Sequence, residues 1–343
     1  MTQPIDSNQP GLATRWLGRW DLRDVAPLLT LAVLVVFFSF AAPKFLKLAT
    51  LESVLKQGSV LAVVAVGLTY VLICGEIDLA VGMMALWSAC FCGWLCERWM
   101  LGPDGKPLPS AWLTGVVLLV PLASCVLLGF LSGLLTVWSR LPSFIISLAM
   151  MFITEGLARY STRNEAVKIP ALLAMIGNEG ISLSERFLIP YSAVIAALVF
   201  LAGHFALRRT RFGRYVYATG GNRQAARLAG VRTSGIVVGC LAISALLAGL
   251  AGLLNCGRIG FAKADQNKDL LLSAVAAVVV GGTSLFGGEG SMGKTVVGVL
   301  TFTVLNVGLM QINWIDDLAR QLLTGLLLLA ALVVNGVLAK SRN

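Results

Sequence analysis

The sequence has little of what a water-facing surface needs. Charged side chains make up 13% of its 343 residues, about half the ~25% of an ordinary soluble domain. Histidine occurs once, as His204. One imidazole cannot furnish a His-rich metal cluster, and no GxSxG nucleophile motif accompanies it. Cys74, Cys90, Cys92, Cys96, Cys125, Cys240 and Cys256 make an odd set with no CxxC spacing, all in or beside apolar runs. They indicate neither a zinc site nor a disulfide framework, and they read as small buried hydrophobes. Paired acids or histidines that could relay protons within apolar segments are missing too. These absences exclude a membrane-embedded hydrolase or oxidoreductase, so no catalytic residue and no metal site is expected. What is abundant is apolar: 57% of the chain is hydrophobic and the mean hydropathy is +0.84. Disordered, collagenous and disulfide-stapled classes are excluded with the soluble one. An integral membrane protein remains, and its net charge of +10 does not call for nucleic acid.

Apolar runs long enough to cross a bilayer, about 20 residues each, lie near 25–42, 54–73, 79–96, 113–138, 143–158, 187–207, 235–255, 271–285, 294–312 and 318–338. The breaks carry glycine, proline and charge, as at Pro43-Lys44, Gly102-Pro103, Arg140-Leu141-Pro142 and Gly287-Gly288. The expected fold is all-α, a polytopic bundle of about ten transmembrane helices. It forms one transmembrane domain over 25–338, preceded by a segment 1–24 and followed by a tail 339–343. The first run has no small-residue cleavage site after it and reads as an anchor, not a removed signal peptide. Sidedness rests on one loop. Residues 208–232 hold Arg208, Arg209, Arg211, Arg214, Arg223, Arg227 and Arg232 with no acid, which the positive-inside rule places in the cytoplasm. With ten spans, both termini are cytoplasmic as well.

Three segments carry more than hydropathy. Cys74-Gly75-Glu76-Ile77-Asp78-Leu79-Ala80-Val81-Gly82 sets two carboxylates at an apolar boundary, where they are costly unless solvated, paired or capping a helix. Asp78 is placed to cap a helix beginning at Leu79; the other reading is contact of Glu76 and Asp78 with a polar solute. In the arginine loop, Gly220-Gly221-Asn222-Arg223-Gln224-Ala225-Ala226-Arg227-Leu228-Ala229-Gly230 reads as a turn, a short helix and a glycine stop. Arg223 and Arg227 share a face suited to anionic lipid headgroups or to a cleft on a soluble partner. The third segment turns on Gly281, Gly282, Gly287, Gly288 and Gly290, which permit a sharp turn and close helix approach. Residues 288–295 also match GxxxxGK[ST] and contain GxGxxG. A phosphate loop needs a strand before it and a helix after it in a soluble α/β domain, whereas 296–312 is apolar on every face. Small residues recur at close-packing spacing in Gly129/Gly133, Ala245/Gly249 and Ala248/Gly252.

Together these segments resemble the permease subunit of bacterial ABC sugar importers of the ribose, xylose and arabinose type. In that family the first segment looks like GGIDLSVG. The loop looks like TRFGRYxYAxGGNxEAARLxGI, matched from Thr210 through Asn222 and beyond, and the third like AIAAVVIGGTSLxGGxG, matched by Ser273 to Gly290. The resemblance implies that 208–234 is the cytoplasmic coupling loop. It implies that Gly220, Gly221, Asn222, Arg223, Gln224, Ala225, Ala226, Arg227 and Gly230 form a coupling element that fits a separate ABC ATPase. That ATPase would bind ATP and Mg, leaving this chain without a cofactor. A periplasmic binding protein would deliver a monosaccharide or similar polyol to outer loops 97–112, 159–186 and 256–270. A second permease chain, identical or a sister, would complete the pathway in the bacterial inner membrane, surrounded by lipid. The sequence departs from the family at Glu76, usually glycine; at Ala80, often serine; at Gln224, usually glutamate; and at Glu155-Gly156, where many relatives show Arg-Gly. Glu155 is spaced to pair with Arg159. The competing class is a stand-alone secondary transporter or channel for a small polar solute. It would need ion-coupling carboxylates within spans, and Glu76, Asp78 and Glu155 sit at span ends.

Overall fold

A backbone surrounded by lipid must satisfy its own hydrogen bonds, so long apolar runs fold as helices. The computed structural model describes residues 22–100, 110–184, 187–267 and 269–312, with scattered positions between 316 and 333. The elements are α1 Leu22–Ala41, α2 Leu48–Ile73, α3 Val81–Trp99, α4 Ala111–Ser139, α5 Ser143–Thr162, α6 Ala171–Asn178, β1 Gly180–Ser184, β2 Phe187–Pro190, α7 Tyr191–Arg209, α8 Arg211–Gly221, α9 Arg223–Leu228, α10 Thr233–Ile259, α11 Leu270–Val280 and α12 Met292–Met310. The antiparallel pair β1–β2, with Ile181 opposite Ile189, is the only sheet among the described residues. Most of the expected segment 1–24, most of the expected span 318–338 and the tail 339–343 lie outside the described residues.

Among the described residues, six helices, α2, α4, α5, α7, α10 and α12, are long and apolar enough to cross a membrane. Their burial sorts them into a centre and a rim. The apolar stretch of α2 is 83% buried, against 22% for α4 and α7. Helix α2 is therefore enclosed by protein, and α4 and α7 turn leucine and phenylalanine toward lipid. Exposed Trp112 and Trp138 bracket α4, about 39 Å apart along the helix, as an aromatic belt at two interfaces requires.

With no hydrophobic drive between helices in lipid, close packing and buried hydrogen bonds hold the bundle. Both are visible. A Cβ on Gly129 of α4 would meet Ala245 of α10 at 2.4 Å, and one on Gly252 of α10 would meet the Ala85 carbonyl of α3 at 2.0 Å. The Tyr70 hydroxyl of α2 donates to the Gly203 carbonyl of α7 at 2.6 Å. Thr69 and Thr295 share a hydrogen bond of 2.7 Å between α2 and α12. All seven cysteines are free and buried.

The expected span over 271–285 is a correction. Helix α11 stops at Val280, so its eleven residues cover only about 16 Å, half of a ~30 Å hydrocarbon core. Its end is dictated by Gly281-Gly282: Gly282 adopts φ +99, and Thr283 N–H turns back to the Val278 carbonyl at 3.2 Å. The segment before 288–295 is thus a helix and not the strand a phosphate loop needs.

The seam at Gly252 should be intolerant. Gly252→Ala is expected to cost about 1–3 kcal/mol by overpacking. Gly115→Ala, on α4 where an added Cβ meets nothing within 4 Å among the described residues, should be neutral or slightly stabilising. Thermal unfolding of the two variants in detergent separates these outcomes.

Candidate functional site

Helix α2 ends where Gly75 takes φ +78. Its N–H reaches the Leu72 carbonyl at 2.9 Å, and Glu76 N–H reaches that of Val71 at 3.0 Å. This is the Schellman closure that glycine supplies at a helix C-terminus. The Ile73 carbonyl is left pointing outward and accepts the Gly288 N–H at 2.9 Å. Gly220, near the end of α8, lies against the same carbonyl, where a Cβ would stand 1.8 Å from the oxygen. No other residue type fits there. Gly287 and Gly288 pass equally close, with virtual Cβ atoms 2.8 Å from the Cα atoms of Gly75 and Gly221. The Tyr217 hydroxyl of α8 then donates to the Gly290 carbonyl at 2.7 Å. Burial pushes the Tyr217 phenol above its ordinary pKa. Three segments far apart in the sequence meet in one knot of bare backbone.

The arginine loop grows from this knot. Gly220 and Gly221, expected to be a turn, are instead the last residues of α8. Asn222 breaks the helix and caps the next one, its Oδ1 accepting the Ala225 N–H at 2.9 Å. Helix α9 buries Ala226, leaves Gln224, Ala225 and Leu228 exposed, and ends before Gly230 at φ +83. The two arginines that share a face part company. Arg227 Nε donates to Thr233 Oγ1 at 2.9 Å, tying α9 to the start of α10. Arg223 forms an ion pair with Glu76, whose side chain is 7% exposed against 41% for Arg223. Leu228 and Phe286 stand almost fully exposed.

From Glu76 to Ala80 the chain enters the bundle as non-helical backbone. Its free N–H groups are taken by serines of α5: Ile77 donates to Ser143 Oγ and Leu79 to Ser147 Oγ, both at 3.0 Å. Helix α3 begins at Val81, not Leu79, so Asp78 stands outside it. Its carboxylate accepts the Ala80 N–H at 3.0 Å and the Ser244 hydroxyl of α10 at 2.8 Å. Ser244 is roughly 16 Å along α10 from its start, which places this buried acid deep among helices. With Ile77 and Leu79 it borders a cavity of about 780 Å³. Sequence reasoning misses Ser143, Ser147 and Ser244; their one signal is the four-residue spacing of two serines at the start of α5.

The opposite end of the bundle gathers the loops expected to face outward. Lys168 N–H donates to Glu97 Oε1 at 3.0 Å, Val167 and Ala262 exchange backbone bonds of 2.8 and 3.1 Å, and Asn178 Nδ2 donates to the Gly257 carbonyl at 3.0 Å. Loops 97–112, 159–186 and 256–270 are joined there, apart from 101–109, 185–186 and 268, which lie outside the described residues. Helix α6 within 159–186, too short for hydropathy to reveal, contributes to this cap. The Glu155–Arg159 pair is formed at 2.8 Å, and His204 stacks on Phe200 at 6.4 Å. No group of three or more metal-ligating side chains occurs among the described residues.

Residues 50–332 match the family model described as branched-chain amino acid transport system, permease component. The chain belongs to that family. It is 33% identical to the ribose import permease of Escherichia coli K12 over 86% of its length and 88% of the relative's. The ribose import permease of Haemophilus influenzae is 31% identical over 95% and 97% of the two chains. The autoinducer 2 import system permease LsrC of Escherichia coli O9:H4 is 31% identical over 94% and 90%. No solved structure matches. The chain is a multi-pass permease subunit of an ABC importer: a transport subunit and not an enzyme.

The Glu76–Arg223 pair should respond asymmetrically. Arg223→Ala strands a nearly buried carboxylate and should cost about 1–3 kcal/mol. Glu76→Gln leaves Arg223 in partial contact with water and should cost less than ~1 kcal/mol. Equal losses in thermal unfolding would count against the buried side of the pair.

Proposed function

We propose that this chain is the membrane-spanning half of a binding-protein-dependent importer that moves a monosaccharide or similar polyol inward. One observation carries the reading: the external helix α9 is tied to the ends of α2, α8, α10 and the turn before α12 through Arg223–Glu76, Arg227–Thr233 and the glycine knot. A partner that moves α9 moves those helices with it, which is the requirement for coupling ATP hydrolysis elsewhere to a pathway here. Gly220 and Gly221 seat the element, Asn222 and Gly230 bound it, and Gln224, Ala225 and Leu228 face outward to meet a cleft on an ABC ATPase. ATP and Mg belong to that ATPase. A periplasmic binding protein docks on the joined outer loops, and a second permease chain completes the pathway. About ten spans, cytoplasmic termini and the bacterial inner membrane complete the topology. The ribose permeases among its relatives support a monosaccharide-type cargo.

The decisive measurement is uptake into proteoliposomes with and without the ATPase. Uptake should require ATPase and ATP; transport driven by an ion gradient alone would overturn the importer reading in favour of a secondary transporter. Deletion of 223–229, or Gly230→Pro, should abolish co-purification of the ATPase while membrane insertion persists. Retained co-purification would remove α9 from the coupling role.

A further inference from the structure

Helices α11 and α12 lie backbone to backbone: a Cβ on Gly298 would stand 1.8 Å from the Ala277 carbonyl, and one on Gly281 would stand 2.3 Å from that of Lys294. Residues four apart lie one turn along the same helical face. Asp269 and Ser273 are so spaced at the start of α11, as are Phe302 and Asn306 on α12. These four residues line two cavities at once. One, of about 490 Å³, extends to Gln57, Asn255 and Arg258. The other, of about 780 Å³, extends to Asp78 and Arg320. A chain that is 57% hydrophobic thus places a carboxylate, a hydroxyl, an amide and one aromatic ring at the junction of a largely apolar space and a smaller, more polar one.

The wall of the smaller cavity retains features that folding alone does not favour. Asn267 adopts φ +64, a left-handed conformation that strains a side-chain-bearing residue. Its Oδ1 accepts Asn255 Nδ2 at 2.6 Å, and Asn255 Oδ1 accepts Arg258 Nη2 at 3.0 Å. Asn267 Nδ2 is buried with no hydrogen-bond partner among the described residues, although buried donors in native proteins are nearly always satisfied. A strained, partly satisfied amide network beside a polar cavity is suited to a solute that brings hydroxyl groups.

We propose that Asp269, Ser273, Phe302 and Asn306 form a hydroxyl-recognising subsite between the two cavities, through which the permease itself discriminates among polyols. This deepens the importer reading and rests on it. Asp269 accepts from hydroxyls, Asn306 and Ser273 both donate and accept, and the Phe302 ring covers the C–H face of a sugar. A site built to hydrogen-bond a hydroxyl discriminates against an analogue lacking it, because its own polar groups are left without that partner.

Two measurements test this. Ser273→Cys and Asn306→Cys, introduced separately, should react with a membrane-impermeant methanethiosulfonate in the purified chain, above the background of seven buried native cysteines. Failure of both to react overturns the path. In proteoliposomes holding the ATPase and binding protein, Asn306→Leu and Ser273→Val should lower uptake of d-ribose at least tenfold and narrow its preference over 2-deoxy-d-ribose. ATPase co-purification should be retained, and Asn306→Gln should restore part of the rate. Unchanged rate and preference in both variants overturn the subsite even if the cysteines react. If the wild type takes up no monosaccharide, the sugar reading fails and the polyol class with it. Cysteine labelling still decides the path.

Discussion

One backbone carbonyl organises the arginine-rich end of this protein. The oxygen of Ile73 receives the Gly288 N–H and lies against Gly220, so the ends of α2 and α8 and the turn before α12 share a single point. A buried carbonyl must be paired, and the pairing here is possible only because no side chain intrudes. The glycines at 75, 220, 287 and 288 are less a flexible hinge than a condition of contact. Around that contact the charged pair Glu76–Arg223 and the Tyr217 hydroxyl supply the directional bonds. Helix α9, only six residues long, would be marginal alone; it persists because both of its arginines are held from outside it.

The segment from Glu76 to Ala80 joins the two halves of the functional problem. Its first residue faces α9, and two residues later Asp78 borders a cavity. The non-helical backbone between them is tolerated inside a bundle only because Ser143 and Ser147 take its N–H groups, the general condition for non-helical chain at membrane depth. A motion imposed on α9 therefore has a short route to the cavity wall. The Glu76–Arg223 ion pair adds a charged tie to a junction otherwise made by glycine backbone and the Tyr217 hydroxyl.

Helix α11 meets a similar constraint at the other side of the site. It stops after eleven residues at a glycine pair, and Asp269 and Ser273 at its start line both cavities.

Much of the fold is legible in the residues themselves. Hydropathy locates the long helices within a few residues, because lipid imposes one requirement that composition alone can report. Arginine density marks the loop 208–232, small-residue spacing marks the α4–α10 and α3–α10 seams, and spacing marks the Glu155–Arg159 pair. What sequence cannot supply is everything that depends on partners remote in the chain. Hydropathy does not distinguish a helix facing lipid from one enclosed by protein, so the central place of α2 stays hidden. A run of apolar residues does not announce that it will stop half-way, so its pattern overstates α11. Asp78 looks like a helix cap because Ser244, 166 positions away, carries no mark that the two will meet. Sequence determined that this is a helical membrane permease with one arginine-rich loop. Only the tertiary structure decided what that loop grips and where the buried polar groups converge, because hydrogen bonds and close approaches are set by geometry in space and not by proximity along the chain.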